Sequence, residues 1–381
     1  MPDNDKAFYK SFKPSWGPAN TLAHASSGDI TQGSTLIESN QPVVSEHRDI
    51  RFAQFAPQPN LTPKSTELQQ RDTSIAADSM GIPLATTKAS FQFRDYIGLA
   101  SSTNAAGKYE KQVWELASIL FDDTTDELQD MGIAKAKHAE YEHRLRKDKL
   151  SEYWEKLVQD NAKAHIGAGA SPEEDAFHCL SAHDIPSACA ALLRGKDFRL
   201  ATLVAQINSD NEFRKEINTQ VEAWRSHNML SEMTDPVRAL YALLAGETCE
   251  VKGVESTGLE SKASTFGISG RFNLDWQRAF GLRLWYRISA EEDIDAAVHD
   301  FLEDLEQARE FAVPKPHWAE EFDPNDASED LLYGLLQLYT FRRSGGEIEA
   351  DVGRILSPTS VSSNPMDARL CFQLIHLLFA K

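Results

Sequence analysis

The chain has 381 residues, enough for two or three average domains. Its 41% hydrophobic and 25% charged residues are typical of soluble globular proteins, which excludes global disorder. The 58 acidic and 39 basic side chains give a formal net charge of −19, which excludes a broad nucleic-acid surface and indicates proteins as partners.

Residues 1–60 alternate short β-prone runs with turn-forming residues. The runs are AFYKSF, TLAH, STLI, PVV and DIRFAQF, and turn signals such as Trp16-Gly17-Pro18 separate them. We expect three to five strands here. So small a sheet cannot bury both of its faces alone, and the segment is therefore expected to need a partner.

Residues 61–107 are predicted to form a connector. Pro, Ser, Thr and Gln are frequent from Ala56 to Thr103, a composition typical of linkers. We expect one ordered patch, around SFQFRDYIGLA at residues 90–100.

From Lys108 onward the hydrophobic period is helical. Apolar residues recur at i, i+3, i+4 and i+7 in seven windows, which begin at Val113, Leu150, Ile185, Leu200, Val237, Ile294 and Leu332. Helix starts are predicted at Ser171-Pro172, Asp184, Asp197 and Asp235-Pro236. Residues 185–207 predict two short antiparallel helices joined at Arg194-Gly195-Lys196. No repeat consensus recurs, so the sequence predicts a mainly α fold with an irregular helical stack.

Four further segments have distinct patterns. Leu274–Tyr286 is apolar on more than one face, which predicts a helix buried between neighbours. Lys135–Lys156 predicts a long, partly exposed helix with opposite-charge pairs such as Glu140 with Arg144. Gly246–Asn273 predicts a loop that is either functional or disordered. Leu370–Ala380 predicts an amphipathic helix that is too short to span a bilayer.

The sequence offers little for catalysis or metal binding. His138 and His143 are five residues apart, about 140° around a helix, so we expect a solvated charged helix and no metal site. His178, Cys179 and His183 provide three ligand types without a fourth nearby, which favours packing or capping. The sequence contains no phosphate-binding glycine motif. We expect no catalytic residue, no metal and no cofactor.

Trp16 is the tryptophan that indicates recognition. It lies between Pro14 and Pro18 in a non-helical segment, where an aromatic side chain usually needs a docking site. The four cysteines include no CxxC pair and are too scattered for a disulfide framework, which is typical of a reducing cytoplasmic or nuclear compartment.

Several strings resemble one known family in the same order. SFKPSWGPANTLAH, at Ser11–His24, is similar to the opening of the scaffold nucleoporins released as the C-terminal half of a self-cleaving FG-repeat precursor, which begin Ser-Phe-Arg-x-x-Trp-Gly-Pro-Asn-x-Thr-Leu. Lys13 replaces an Arg, and Ala19 precedes Asn20. The resemblance continues at Tyr109 (YEKQVWELASILFD), in the hairpin after Asp184 and at Leu274 (LDWQRAFGLRLWY).

The resemblance implies an ancestral coatomer element in the Y-shaped coat of the nuclear pore complex, at the nuclear envelope. Its helical part, residues 108–381, would divide into a trunk (residues 108–165 and 311–381) and a crown (residues 171–310), folded back on itself. Residues 1–60 would add a blade to a six-bladed WD40 propeller protein shared with the COPII coat. The crown would bind a second helical nucleoporin. The family also has a helical tail, which we expect to be missing here.

The resemblance also assigns site residues. We predict contacts with the propeller from residues in the β-prone runs, namely Phe8, Phe12, Trp16, Leu22, Ile37, Val43, Ile50 and Phe52. For the partner of the crown we predict Phe213 and Trp224. We expect no direct nucleic-acid contact and no transmembrane segment.

Two alternatives remain at the level of sequence. A COPII outer-coat subunit would share the architecture and the propeller, but the SFKPSWGP opening argues against it. A helical enzyme of another kind would need a bound metal or cofactor.

Overall fold

A computed structural model describes residues 15–17, 21–25, 50–54, 62–77, 83–100, 104–167, 171–208, 211–254, 263–315, 329–343 and 365–381. Within these residues the protein is mainly helical with a few short strands, as the sequence predicts. The described residues form two compact units. The first contains residues up to Glu115 together with 365–381, and the second contains Leu116 onward to residue 343.

The first unit contains all the longer strands. Its elements, in chain order, are β1 (Ser15–Gly17), β2 (Thr21–Ala25), β3 (Ile50–Gln54), α1 (Thr62–Asp72), β4 (Thr73–Ala77), β5 (Pro83–Thr87), α2 (Arg94–Ile97) and α3 (Ala105–Phe121), and at the end of the chain α15 (Pro365–Ala380). The last six residues of α3, from Leu116, belong to the second unit. Strands β1, β2 and β3 form an antiparallel sheet in that order, and β4 pairs with β5. The predicted connector therefore contains a helix and a hairpin, more secondary structure than its composition predicts.

Aromatic side chains form the core of the first unit. Phe91, Phe93, Tyr96 and Trp114 are each at most 4% exposed, and the ring centroids of Tyr96 and Trp114 lie 4.9 Å apart. Three of these four rings come from the patch at residues 90–100 that was predicted to be ordered. Helix α15 contacts β5.

The second unit is an irregular stack of helices. Its elements are α4 (Thr125–Asp130), α5 (His138–Lys163), α6 (Pro172–Leu180), α7 (Ile185–Arg194), α8 (Phe198–Val204), α9 (Asn211–Ser226), α10 (Asp235–Leu244), β6 (Glu250–Val251), β7 (Phe266–Gly267), α11 (Ile268–Arg271), α12 (Trp276–Leu282), α13 (Ile294–Glu306) and α14 (Leu331–Arg343). Short 3₁₀ turns at Lys135–Lys137 and Met229–Glu232 precede α5 and α10. Six of the seven windows of helical periodicity lie entirely on helices, and the window at Leu200 begins on α8 and runs three residues past its end, which confirms the helical prediction.

Side-chain caps fix the starts of α6, α7 and α8. The backbone N–H groups of Glu174, Ser187 and Leu200 donate to the side chains of Ser171, Asp184 and Asp197, respectively. The predicted hairpin of α7 and α8 is confirmed, with Gly195 as the cap that ends α7.

The start of α10 differs from the prediction. Thr234 occupies the N-cap position, and Asp235 lies in the first turn, where it pairs with Arg271 at 3.1 Å. The segment Gly246–Asn273, predicted as a loop, contains the hairpin of β6 with β7 and the short helix α11.

On α5 the ion pair differs from the predicted one. Arg146 bonds Glu142 at 2.8 Å, and the structure shows no bond between the predicted partners Glu140 and Arg144. Arg146 also donates to the carbonyls of Ile119 and Asp122, which hold it in a buried position. The ion pair of Arg146 with Glu142 therefore forms on the side of α5 that contacts the end of α3.

Helix α12 is buried on several sides, as predicted for Leu274–Tyr286. Trp154 of α5 is fully buried; its ring lies edge-on to Phe280 at a centroid distance of 4.8 Å, and its Nε1 donates to the carbonyl of Gln277 at 2.7 Å. A Cβ added to Gly281 would lie 2.6 Å from the ring of Trp285, so the close approach of these groups requires glycine.

A π turn at Arg283–Arg287 continues α12. The N–H of Ile288 donates to the carbonyl of Arg283, five residues earlier, which widens the helix by one residue. The two aromatic residues of this turn reach different helices: Trp285 Nε1 donates to Ser151 Oγ of α5 at 2.9 Å, and Tyr286 Oη donates to the carbonyl of Leu180 of α6 at 3.1 Å.

A charged network lies inside the second unit, around the fully buried guanidinium of Arg283. It contacts Asp304 at 2.7 Å, Glu310 at 3.0 Å and Asp300 at 3.3 Å. Burial alone would lower the pKa of Arg283, but Glu310 and Asp304 raise it above its ordinary value. Arg283 is therefore fully charged in the interior.

Candidate interaction surfaces

Four of the predicted propeller-binding residues lie on the three-stranded sheet. Trp16 is in β1, Leu22 in β2, and Ile50 and Phe52 in β3. The other four predicted residues, Phe8, Phe12, Ile37 and Val43, lie outside the described residues. The structure thus places half of the predicted set on one small sheet.

The register of the sheet sorts these positions into two faces. Trp16 pairs with Leu22, and Leu22 pairs with Ala53. Because paired positions share a face and successive positions alternate, Trp16 and Leu22 belong to one face of the sheet, and Ile50 and Phe52 belong to the other. The four predicted positions are therefore divided between the two faces of the sheet.

The two predicted crown residues lie on α9, and both are half-buried. Trp224 packs edge-on against Tyr241 of α10, with ring centroids 4.8 Å apart. It also lines a narrow apolar groove of about 50 Å³ between α9 and α10, together with Leu230 and Met233. The contact with Tyr241 gives Trp224 a packing role within this chain.

A second apolar surface, which the sequence analysis did not single out, lies at the turn between α7 and α8. Leu193 is 50% exposed and Phe198 is 65% exposed, on either side of Gly195. Phe198 lies outside the apolar stripe that begins at Leu200, whereas Leu193, eight residues after Ile185, lies at the edge of the stripe that begins there. For Phe198, the position off the stripe was the available signal, because such a residue faces away from the core that the stripe builds. We call Leu193 and Phe198 the turn surface.

The histidines considered for metal binding each have separate contacts. His138 Nε2 lies 3.0 Å from the carbonyl of Ile133, and His143 Nδ1 lies 3.1 Å from Asp293. His178 is buried and stacks on His165 with ring centroids 5.1 Å apart. Among the described residues, no group of three or more His, Cys, Asp or Glu side chains is arranged to hold a metal ion.

In the part of the chain that the structure describes, no helix is both long and apolar enough to cross a membrane.

The chain is similar to several proteins that are named as nucleoporins or nuclear pore complex proteins. Nucleoporin NUP145 of Chaetomium thermophilum is 40% identical over 205 residues, which cover 54% of this chain and 10% of the relative. Nucleoporin nup189 of Schizosaccharomyces pombe is 29% identical over 316 residues, covering 83% of this chain and 16% of the relative. The nuclear pore complex protein Nup98-Nup96 of Drosophila melanogaster is 28% identical over 278 residues, covering 71% and 13%. The chain thus matches 10 to 16% of the length of these three relatives.

The sequence model of one family, described as Nuclear protein 96 (Nup96), matches residues 174–381, which is more than half of the chain. The match covers the helices from α6 to α15 and agrees with the resemblance found in the sequence. The chain therefore belongs to the Nup96 family of nuclear pore nucleoporins.

Proposed function

We propose that the chain is a structural scaffold subunit of the Y-shaped nuclear pore coat, where it bridges a six-bladed WD40 propeller protein and a neighbouring helical nucleoporin. The family is one of nuclear pore nucleoporins, so the location is the nuclear pore complex at the nuclear envelope. The scaffold role supports pore assembly and nucleocytoplasmic transport, and we assign no catalytic activity.

The observation that carries the proposal is the sheet of β1, β2 and β3 that precedes the helices. In this sheet β1 and β3 are edge strands, each paired on one side within the described residues. An edge strand presents backbone N–H and C=O groups that another strand can pair with. The predicted contact positions are divided between the two faces of the sheet, and a propeller blade is covered on both faces by its neighbours. An open propeller supplies both a strand to pair with the edge of the sheet and neighbouring blades to cover its faces.

The turn surface supports the second half of the proposal. Leu193 and Phe198 fall within the predicted crown, residues 171–310, and expose aliphatic and aromatic side chains on a rigid hairpin. Aromatic and aliphatic anchors on rigid elements are typical centres of protein interfaces. We infer that a helical nucleoporin covers them.

Binding to the purified propeller tests the first half. The full chain should bind by calorimetry, whereas the chain that lacks residues 1–60 should not, and the helical part should keep its circular dichroism spectrum. Phe52→Pro should weaken binding strongly, because proline removes a backbone N–H from β3. The matched control is Ile75→Asp, an exposed position on β4 outside residues 1–60. If the shortened chain bound the propeller with wild-type affinity, the proposal that residues 1–60 form a blade of the propeller would be refuted.

The choice of coat rests on the relatives. The matched proteins are named as nucleoporins, which favours the pore coat over the COPII vesicle coat.

A further inference from the structure

A polar cleft of about 430 Å³ opens in the second unit beside α5, the start of α9 and the π turn. This volume is within the range of small-molecule sites. Leu284, Trp285 and Ile288 line its floor and are at most 7% exposed. The cleft therefore combines an apolar floor with a rim that is polar and charged.

Three cations line the rim, although the chain as a whole carries a net charge of −19. Arg144 is exposed and has no hydrogen-bond or ion-pair partner among the described residues. Arg214 donates one N–H to the carbonyl of Arg287 at 3.0 Å, which leaves four of its five donors for a ligand. Lys147 donates to two backbone carbonyls, which leaves one N–H.

Two of these cations are partly removed from water. Burial lowers the pKa of Lys147, the carboxylates of Glu292, Asp293 and Asp148 raise it in part, and the charge of Arg214 lowers it by a smaller amount. Burial also lowers the pKa of Arg214 itself. The carboxylate of Glu292, which lies close to both, already accepts the N–H of Ser289 at 2.6 Å. An anion in the cleft would offset both the burial and the mutual repulsion of the cations.

Neighbouring side chains hold the cleft wall in place. The ring of His183 stacks on Trp285 with centroids 4.9 Å apart and planes 4° apart. His183 Nδ1 contacts Glu155 Oε1 at 2.6 Å, and its Nε2 lies 3.3 Å from Asn208 Nδ2. The wall is therefore set before any ligand arrives, which lowers the entropy cost of binding.

We propose that this cleft binds a small molecule that carries two or more phosphate groups, with Arg144 and Arg214 as its main contacts and Lys147 as a third. Guanidinium groups bind phosphate oxygens through two parallel hydrogen bonds. Several cations distributed around one cleft favour a ligand with several phosphates over a single phosphate ion. Asp148 and Glu291 also line the cleft. Their negative charges repel phosphate and therefore limit its affinity for the cleft.

Calorimetry on the full chain tests this site with inorganic phosphate, pyrophosphate and tripolyphosphate as probes. Tripolyphosphate should bind in a one-to-one ratio and more tightly than inorganic phosphate, and its affinity should fall as the sodium chloride concentration rises. Arg144→Ala and Arg214→Ala should each weaken binding roughly tenfold or more, because each removes charge-assisted hydrogen bonds. Asp148→Asn should strengthen binding.

Arg199→Ala is the matched control, since it removes an exposed arginine of α8 outside the cleft. Its affinity for tripolyphosphate should equal that of the wild type. Arg144 is exposed, so its variant should fold, and a thermal melt checks the half-buried Arg214 variant. Equal losses in Arg144→Ala and Arg199→Ala, or the absence of saturable tripolyphosphate binding, would overturn the proposal.

Discussion

At the scale of single residues, Arg283 balances carboxylates that water does not reach. Asp304 and Glu310 are 6% and 4% exposed, and both contact this guanidinium. We expect Arg283→Met to lower the free energy of unfolding by about 3–5 kcal/mol, because Glu310 stays buried without its cation and Asp304 keeps only the half-exposed Arg309. Urea unfolding followed by circular dichroism measures the loss.

Arg287→Met is the control for this prediction. Arg287 is half-exposed and pairs with Asp300 and Glu247 near the surface. Its loss should cost about 0–1 kcal/mol, since solvent screens exposed ion pairs. Equal losses in the two variants would contradict the role given to the buried network.

His178 should make the stability depend on pH. Burial, with a smaller effect of Arg278, lowers its pKa to about 4, from the ordinary 6.5 that it has in the unfolded chain. As the pH falls below 6.5, the unfolded chain therefore takes up a proton that the folded chain rejects, and stability decreases until the pH reaches about 4. Between pH 7 and pH 5 the loss from this residue is about 2 kcal/mol.

The test is the free energy of unfolding of the wild type and of His178→Leu at pH 7 and pH 5. Between pH 7 and pH 5 the free energy of unfolding of the variant should fall by about 2 kcal/mol less than that of the wild type. An identical decrease in both proteins would show that His178 is not responsible.

At the scale of elements, the contact of α12 with α5 depends on Gly281. A Cβ here would meet the Trp285 ring at 2.6 Å and Trp154 at 3.2 Å. We expect Gly281→Ala to cost about 1–3 kcal/mol through overpacking, in spite of alanine's better helix propensity. Thermal melts of the variant and of Gly270→Ala, where an added Cβ has open space, separate the two effects. Equal melting temperatures would contradict the packing argument.

The elements that the sequence predicted well are those fixed by local chemistry. The caps at Ser171, Asp184 and Asp197 and the hairpin around Gly195 depend on residues within a few positions of each other. The π turn at Arg283–Arg287 could not be predicted, because it follows from contacts with two distant helices. Likewise, Arg146 pairs with Glu142 because distant carbonyls hold its guanidinium.

The candidate interaction surfaces also differ in how far the sequence predicts them. The strands that contain Leu22 and Phe52 are visible as β-prone runs, and the structure contains them, whereas Trp16-Gly17, predicted as part of a turn, lies in β1. The outward-facing residues of the helical hairpins required the fold: Trp224 turns toward Tyr241, whereas Leu193 remains exposed. The periodicity of the sequence indicates which face of a helix is apolar. Only the packing of the helices decides which apolar side chains stay exposed to solvent.

At the scale of the whole molecule, the two proposed surfaces belong to different compact units. We therefore expect them to bind independently. Leu193→Asp combined with Phe198→Asp should weaken binding of the helical partner roughly 100-fold and leave propeller binding unchanged. Surface plasmon resonance with each partner measures both affinities.

The control is Met131→Asp, which changes an exposed apolar residue outside residues 171–310. Both variants should keep their stability within about 0.5 kcal/mol, because the changed side chains are exposed. Wild-type binding of the helical partner by the double variant would remove the turn surface from the proposed interface.

The π turn after α12 also fixes the number of residues that this part of the chain can contain. Deleting one residue between Arg283 and Arg287 would restore regular α-helical bonding, but it would rotate the following residues by about 100°. Trp285 and Tyr286 would then no longer reach Ser151 and Leu180 together. Insertions and deletions should therefore be tolerated in the surface loops of this protein and rejected at this turn.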